Sequence, residues 1–127
     1  MRFMLLCYDD ERYWEQVGAQ ALQSAMAEAV ELTHDLQSRG QYIRSAPLHP
    51  ASTATCVRIR HGKRQVTDGP FAETREVLGG FHLIDVPDWE TAIAVAQRHP
   101  GLRAGGVEIR PVQEIDGLPE PTTSSEF

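Results

Sequence analysis

Three side chains in this sequence have the type and setting for proton-transfer chemistry: Asp68, His49 and His34. His49 stands between Leu48 and Pro50, in a stiff loop just past an expected strand end, where site residues gather. An ordinary imidazole there titrates close enough to neutral to act as acid or base, although a plain surface histidine fits the position equally well. Asp68 opens the run Asp68-Gly69-Pro70-Phe71 and either holds its own turn through its carboxylate or faces a pocket. Phe71 is correspondingly a pocket wall or a buried anchor for the loop. Glu73 and Arg75 form a polar pair at a cleft mouth, a kind of pair that contributes little when exposed. His82 alternates with Ile84 and Val86, as a satisfied core group or a cavity-facing one. Tyr8, closing the first strand, completes the ligand-contact set. His34 lies about 160° from the centre of its helix's apolar stripe, which makes it solvated unless a second subunit or a lid covers it.

Other chemistries lack their signatures. The five histidines, at positions 34, 49, 61, 82 and 99, show no metal-binding spacing, and Cys7 and Cys56 stand far apart, so no local metal motif is expected. There is no phosphate-cradling glycine loop and no nucleophile elbow, so no cofactor is expected. Twelve basic against eighteen acidic residues give a net charge of -6, which disfavours nucleic acid. Arg58, Arg60, Lys63 and Arg64 straddle an expected hairpin turn and are accounted for by solvation. The two cysteines read as small buried apolar residues rather than a disulfide. No run reaches the about 18 apolar residues of a membrane span, and the short apolar start meets Asp9, Asp10 and Glu11 at once, unlike a leader peptide. A cytoplasmic protein is expected.

The elements that would position these groups follow from periodicity. Phe3 to Tyr8 is apolar at every position and reads as a strand covered on both faces. A helix from about Tyr13 to Arg39 follows, closed by Gly40, with Trp14, Leu22, Ala25, Ala29, Leu32 and Leu36 inside an arc of about 80°. Gly18 on that stripe marks either a close approach or a break. Strands are expected at Gln41 to Ala46, Ala54 to Arg60 and Arg64 to Thr67, the last two joined at His61-Gly62-Lys63, with Val57 and Ile59 sharing one face. Ala72 to Val77 is a helical turn or an irregular arm, and Gly79-Gly80 opens the strand Phe81 to Val86 with a bulge or a close backbone approach. Asp88 caps a second helix with Trp89, Ala92, Ile93 and Ala96 inside, ending near His99-Pro100-Gly101. Val107 to Val112 is the last strand, and 118–127 a loose proline- and serine-rich tail.

This order predicts one α+β domain, a ferredoxin-like split βαβ with an inserted hairpin. Two helices cover one sheet face, while the strands at Phe3 and Phe81 are apolar on both, so a homodimer stacking sheet on sheet is expected to cover the other.

The run from Val66 to Val86, VTDGPFAETREVLGGFHLIDV, resembles the signature of the YCII-related family, in particular the DGPF-domain subgroup named for Asp68 to Phe71. Flanking pieces agree, among them MLLCYDDE near the start and VEIRPVQEIDGLP near the end. The resemblance covers Met1 to about Pro119; the domain itself is placed at 1–116 with 117–127 as a tail, and the resemblance implies a dimeric α+β barrel. It also implies a cleft lined in some relatives by a helix histidine and an aspartate, and in others a genomic link to alternative sigma factors. In this sequence the position of that histidine falls on Ala29, so the pair does not carry over. Two readings result: a protein that binds and transforms a small organic molecule without a metal, and a regulatory or interaction module acting with a sigma factor.

Overall fold

Along the first strand, β1 (Arg2–Asp9), the uniform apolar run resolves into two unlike faces. Phe3, Leu5 and Cys7 are buried, whereas Met4, Leu6 and Tyr8 are only partly covered. The computed structural model describes residues 1–121; positions 122–127, most of the expected tail, lie outside the described residues. After β1 come α1 (Glu11–Val17), α2 (Ala19–Ser38), β2 (Tyr42–Pro47), β3 (Thr55–Arg60), β4 (Lys63–Asp68), β5 (Val77–Asp85), α3 (Trp89–Gln97) and β6 (Gly105–Pro111), with single 3-10 turns at Ala51–Thr53 and Pro100–Arg103.

Four strands form one sheet in the order β2-β5-β1-β6, every neighbouring pair antiparallel. β1 and β2 therefore run parallel with β5 between them, and β5 and β6 run parallel with β1 between them. Each parallel pair is bridged by a helical crossover, so two split βαβ units interlock. α2 and α3 lie on one face, where Leu32, Leu36, Ala92 and Val95 close over Phe3, Leu5 and Ile84. Phe3 also meets the edge of Trp89, ring centroids 5.0 Å apart. On the other face Met4 opposes Leu83 and Leu6 opposes Phe81, an apolar centre left partly exposed. The result is an α+β domain with antiparallel sheets; the described residues enclose no barrel.

The expected long helix is broken. Gly18 takes φ 92°, a backbone conformation that costs an L side chain strain, and ends α1 by donating its N–H to the Trp14 carbonyl. Asp10, with its carboxylate on the Arg12 N–H, starts α1 earlier than the apolar stripe suggests. Within α2 the stripe holds, with Ala25, Leu32 and Leu36 buried. In α3 it shifts: Val95 is buried in place of Ile93, and Trp89 and Ile93 are exposed, because α3 is centred on Ala92 and Ala96. The segment before β5 is irregular rather than a helical turn.

β3 and β4 form a hairpin of their own, turning through His61 and Gly62, both at positive φ. Because this two-stranded sheet joins no other strand among the described residues, Val57, Ile59 and Val66 stand 60%, 66% and 69% exposed on one face. Leu36, fully buried at the centre of the helix-covered face, is the test of where the core sits. Leu36→Ala should cost about 2–5 kcal/mol in urea unfolding, whereas Val57→Ala on the hairpin should cost well under about 1 kcal/mol.

Candidate functional site

The helix-covered face of β1 reads Phe3, Leu5, Cys7, Asp9, so the core passes from hydrocarbon to thiol to carboxylate towards the strand's C-terminal end. Registry brings polar partners to that end: His82 lies opposite Leu5, and Gly80 opposite Cys7. A bulge between Cys7 and Tyr8 leaves Gly79 as the extra residue of β5, so the glycine pair makes both the bulge and a close approach. A Cβ on Gly80 would lie 2.9 Å from the Ala46 carbonyl oxygen of β2, and one on Gly79 2.7 Å from the Asp9 carboxylate. From the other side, the turn after α3 delivers His99, whose ring meets the His82 ring edge-on with centroids 5.1 Å apart.

Cys7, His82 and His99 thus form one cluster, with a ligating atom of each within 4.8 Å of the others. His99 caps the 3-10 turn at Pro100 by accepting the Gly101 N–H on Nδ1 at 2.9 Å. In the neutral ring the proton then sits on Nε2, which points at Cys7 Sγ 3.6 Å away. His82 is 6% exposed, and its Nδ1 is fully enclosed with no hydrogen-bond partner. Such an atom forgoes about 1–3 kcal/mol of hydration without return. Asp9 accepts the Trp14 indole N–H at 2.8 Å beside the cluster.

Burial sets the protonation of all three groups. It pushes the Cys7 thiol up to about 11, helped by the negative charge of Asp9. It brings His82 down to about 4, with His99 adding to the fall, and lowers His99 against the opposing pull of Asp9. At neutral pH the cluster is therefore a thiol and two neutral imidazoles, a set of soft and borderline donors.

Two grooves open at the same end of the sheet. One, of about 550 Å3, is lined by Asp10, Glu11, Arg12, Glu73, Thr74, Arg75 and Val77. The other, of about 410 Å3, is lined by Tyr8, Glu76, Gly106, Val107 and Glu108. The arm before β5 borders both. In the first groove Asp10 is held ionised by Arg12, with Arg75 alongside at 3.3 Å, and Glu11 accepts the Ala51 N–H. The exposed Glu73 carboxylate has no such partner among the described residues.

Of the residues singled out by sequence, Glu73 and Tyr8 line the grooves and His82 is buried in the cluster. His34 is exposed on α2, and His49 is exposed in the loop after β2. Asp68 ends β4 opposite Thr55 and is exposed. Its carboxylate does not brace the turn as expected: the turn is held by the Gly69 N–H on the Ala54 carbonyl and the Cys56 thiol on the Gly69 carbonyl. Phe71 is neither anchor nor pocket wall in this chain, being 64% exposed with the Arg58 guanidinium 4.1 Å above its ring. Cys7, His99, Asp9 and Trp14 are the site residues that sequence spacing misses.

The YCII-related domain matches residues 1–116. An uncharacterized protein of Rhizobium meliloti is 31% identical over 114 residues, which cover 88% of this chain and 92% of the relative. Among solved structures, 5-chloro-2-hydroxyhydroquinone dehydrochlorinase from Burkholderia phenoliruptrix, in complex with 2,5-dihydroxybenzoquinone, aligns with a TM-score of 0.47 at 11% identity, over 89% of this chain and 94% of its own.

The depressed His82 sets a pH dependence for the metal-free protein. The unfolded imidazole takes its proton near pH 6.5 and the folded one only near 4, so unfolding takes up a proton between those values. Stability from the neutral ring is intact above the unfolded value and is lost as pH falls towards the folded one, about 3 kcal/mol in all. Cys7 and His99 face the same ring, Asp9 bears on those two groups, and the lowered His99 adds to the slope with the same sign. Urea unfolding in chelator-containing buffer should show a loss between pH 7 and pH 4.5 that is about 2–3 kcal/mol smaller in His82→Leu. Equal losses in the two proteins would mean the ring is not held neutral by burial.

Proposed function

The chain belongs to the YCII-related family, and within it we propose a cytoplasmic homodimer of the DGPF subgroup that binds and transforms a small polar organic molecule in the grooves beside the arm at 73–77. The observation that carries this reading is the 550 Å3 groove, whose size falls in the range of small-ligand sites and whose lining converges charged and polar groups on one space. Glu73 brings an unpaired carboxylate to that groove, and Tyr8 a phenol to its neighbour, which are the acid-base groups the chemistry would use. Asp68, His49 and His34 line neither groove, so the reading rests on Glu73 and Tyr8.

The dimer is supported by the second sheet face. Met4, Leu6, Phe81 and Leu83 form a contiguous apolar centre on the face opposite the buried Phe3, Leu5 and Ile84. Stacking two such sheets would give the family's ferredoxin-like dimeric barrel and would close the grooves more tightly. The run Asp68 to Phe71 supports the subgroup. A second reading, a module acting with an alternative sigma factor, is favoured by one feature, the exposed apolar face of the hairpin at Val57, Ile59 and Val66. Capture of a purified sigma factor by wild type but not by a Val57→Asp, Ile59→Asp variant would support it.

Two measurements test the main reading. Sedimentation of the wild type should give twice 14.2 kDa, and Leu6→Glu should give the single-chain mass with its circular dichroism retained. A wild type that stays monomeric at micromolar concentration removes the dimer. Thermal denaturation across a panel of small hydroxylated and carboxylated organic compounds should find some that raise Tm by about 4–8 °C at saturation. That gain should vanish in Glu73→Ala and Arg75→Ala, and survival of the shift in both would place the ligand elsewhere.

A further inference from the structure

We propose that Cys7, His82 and His99 form a binding site for one divalent cation of the zinc class, with the Cys7 thiolate and one ring nitrogen from each histidine as ligands and a fourth position left open. The site is independent of the grooves: none of its three residues lines either of them.

Geometry makes the first case. With zinc-sulfur and zinc-nitrogen bonds of about 2.3 and 2.05 Å, the edge of a tetrahedral site between a thiolate and an imidazole is about 3.6 Å. Cys7 Sγ and His99 Nε2 are 3.6 Å apart. The remaining ligand atoms lie within 4.8 Å, so closing the set around a cation asks for side-chain movement of roughly 1 Å rather than of backbone. The second case is independent of that distance. His82 is more than nine-tenths buried, it stands against the His99 ring, and its Nδ1 meets no protein partner. A buried imidazole with an unused nitrogen beside a thiol and a second imidazole is the composition of a donor set rather than of a packed core. Asp9 adds a carboxylate close enough to bear electrostatically on both Cys7 and His99, and the indole of Trp14 orients it.

The ligand types decide the class of ion. One thiolate and two imidazoles suit zinc and its analogue cobalt, whereas magnesium and calcium need oxygen donors. Binding sends the Cys7 thiol proton to solvent. It also obliges His99 to carry its proton on Nδ1 instead of Nε2, so the Gly101 N–H loses its acceptor and the turn at Pro100 loosens. Three protein ligands leave one position for water or an incoming oxygen or nitrogen group, the arrangement of a catalytic rather than a closed structural site.

The test uses the purified full-length chain, reduced and stripped with chelator, and cobalt chloride alone as the probe. One equivalent of cobalt should give a near-ultraviolet thiolate-to-cobalt charge-transfer band together with tetrahedral visible bands, and zinc should displace both. Cys7→Ser, which keeps the side chain's size, should lose the charge-transfer band, while Cys56→Ser, at the other buried cysteine, should keep it. His82→Ala and His99→Ala should each weaken zinc in chelator competition by at least the ~10–100-fold that loss of a supporting group costs a metal site. His34→Ala, on the exposed face of α2, should leave affinity unchanged. Should His82→Ala not fold, His82→Gln is its substitute, and zinc should raise the Tm of wild type but not of Cys7→Ser. The proposal is overturned if the wild type shows no charge-transfer band, or if the band survives Cys7→Ser, or if both histidine variants hold zinc as tightly as the wild type.

Discussion

The constraint on which this structure rests is one-sided coverage of a four-stranded sheet whose two interior strands, β5 and β1, have no free edge. β1 is hydrogen-bonded on both sides, to β5 and β6, so its register fixes those of its neighbours. A one-residue slip would turn Phe3, Leu5 and Cys7 away from the helices and put Met4, Leu6 and Tyr8 in their place. The choice between those registers is set by helices α2 and α3, whose Leu36, Ala92 and Ala96 fit the first set. Hydrophobic burial on that face therefore determines what faces the other way: a partly exposed apolar sheet centre framed by Arg44, Glu108 and Arg110.

The same constraint locates the chemistry. Successive rows across the sheet descend from Phe3 and Ile84, both fully buried, to Leu5 beside His82, then to Cys7 beside Gly80. Hydrocarbon fills the first row, and polar atoms enter as the helix cover thins towards the C-terminal end of β1. Groups placed there lose water, and burial heads the causes of the shifts at Cys7, His82 and His99 alike. Where the strand finally leaves the cover, Asp9 turns to the Trp14 indole, and the larger groove begins at Asp10.

Much of this was legible in residue order and periodicity. The alternation of strands and helices, the α2 stripe and the Asp88 cap all depend on contacts close in sequence, and they stand as expected. The loop candidates misled because a turn signal such as Asp68 to Phe71 fixes local geometry without saying what the loop rests on; here the hairpin stands off the main sheet and Phe71 is in solvent. Val57 and Ile59 do share a face as alternation expects, but alternation does not say whether anything covers that face, and here it stands exposed. The cluster is the opposite case. Its members come from β1, β5 and the turn after α3, so no spacing rule connects them. A usable signal was nonetheless present. Cys7 shares the phase of Phe3 and Leu5, and His82 that of Ile84, so once the first and third core strands are placed side by side the two polar residues must share a face.

His99 shows how a cap and a cluster can be coupled through one ring. Its Nδ1 caps the start of the 3-10 turn that joins α3 to β6, and its Nε2 reaches Cys7 on β1. An imidazole cannot present lone pairs on both nitrogens while neutral and also donate, so the state of the turn and the state of the cluster are alternatives set by a single proton. Whatever takes the Nε2 lone pair must release the Gly101 N–H, and whatever secures that N–H must leave Nε2 a donor. The turn lies directly before Gly105, whose added Cβ would strike the Tyr8 carbonyl, so β6 enters the sheet with little room to adjust. A rearrangement at His99 is therefore confined to the residues between α3 and β6, and it passes to β1 through the thiol rather than through the backbone.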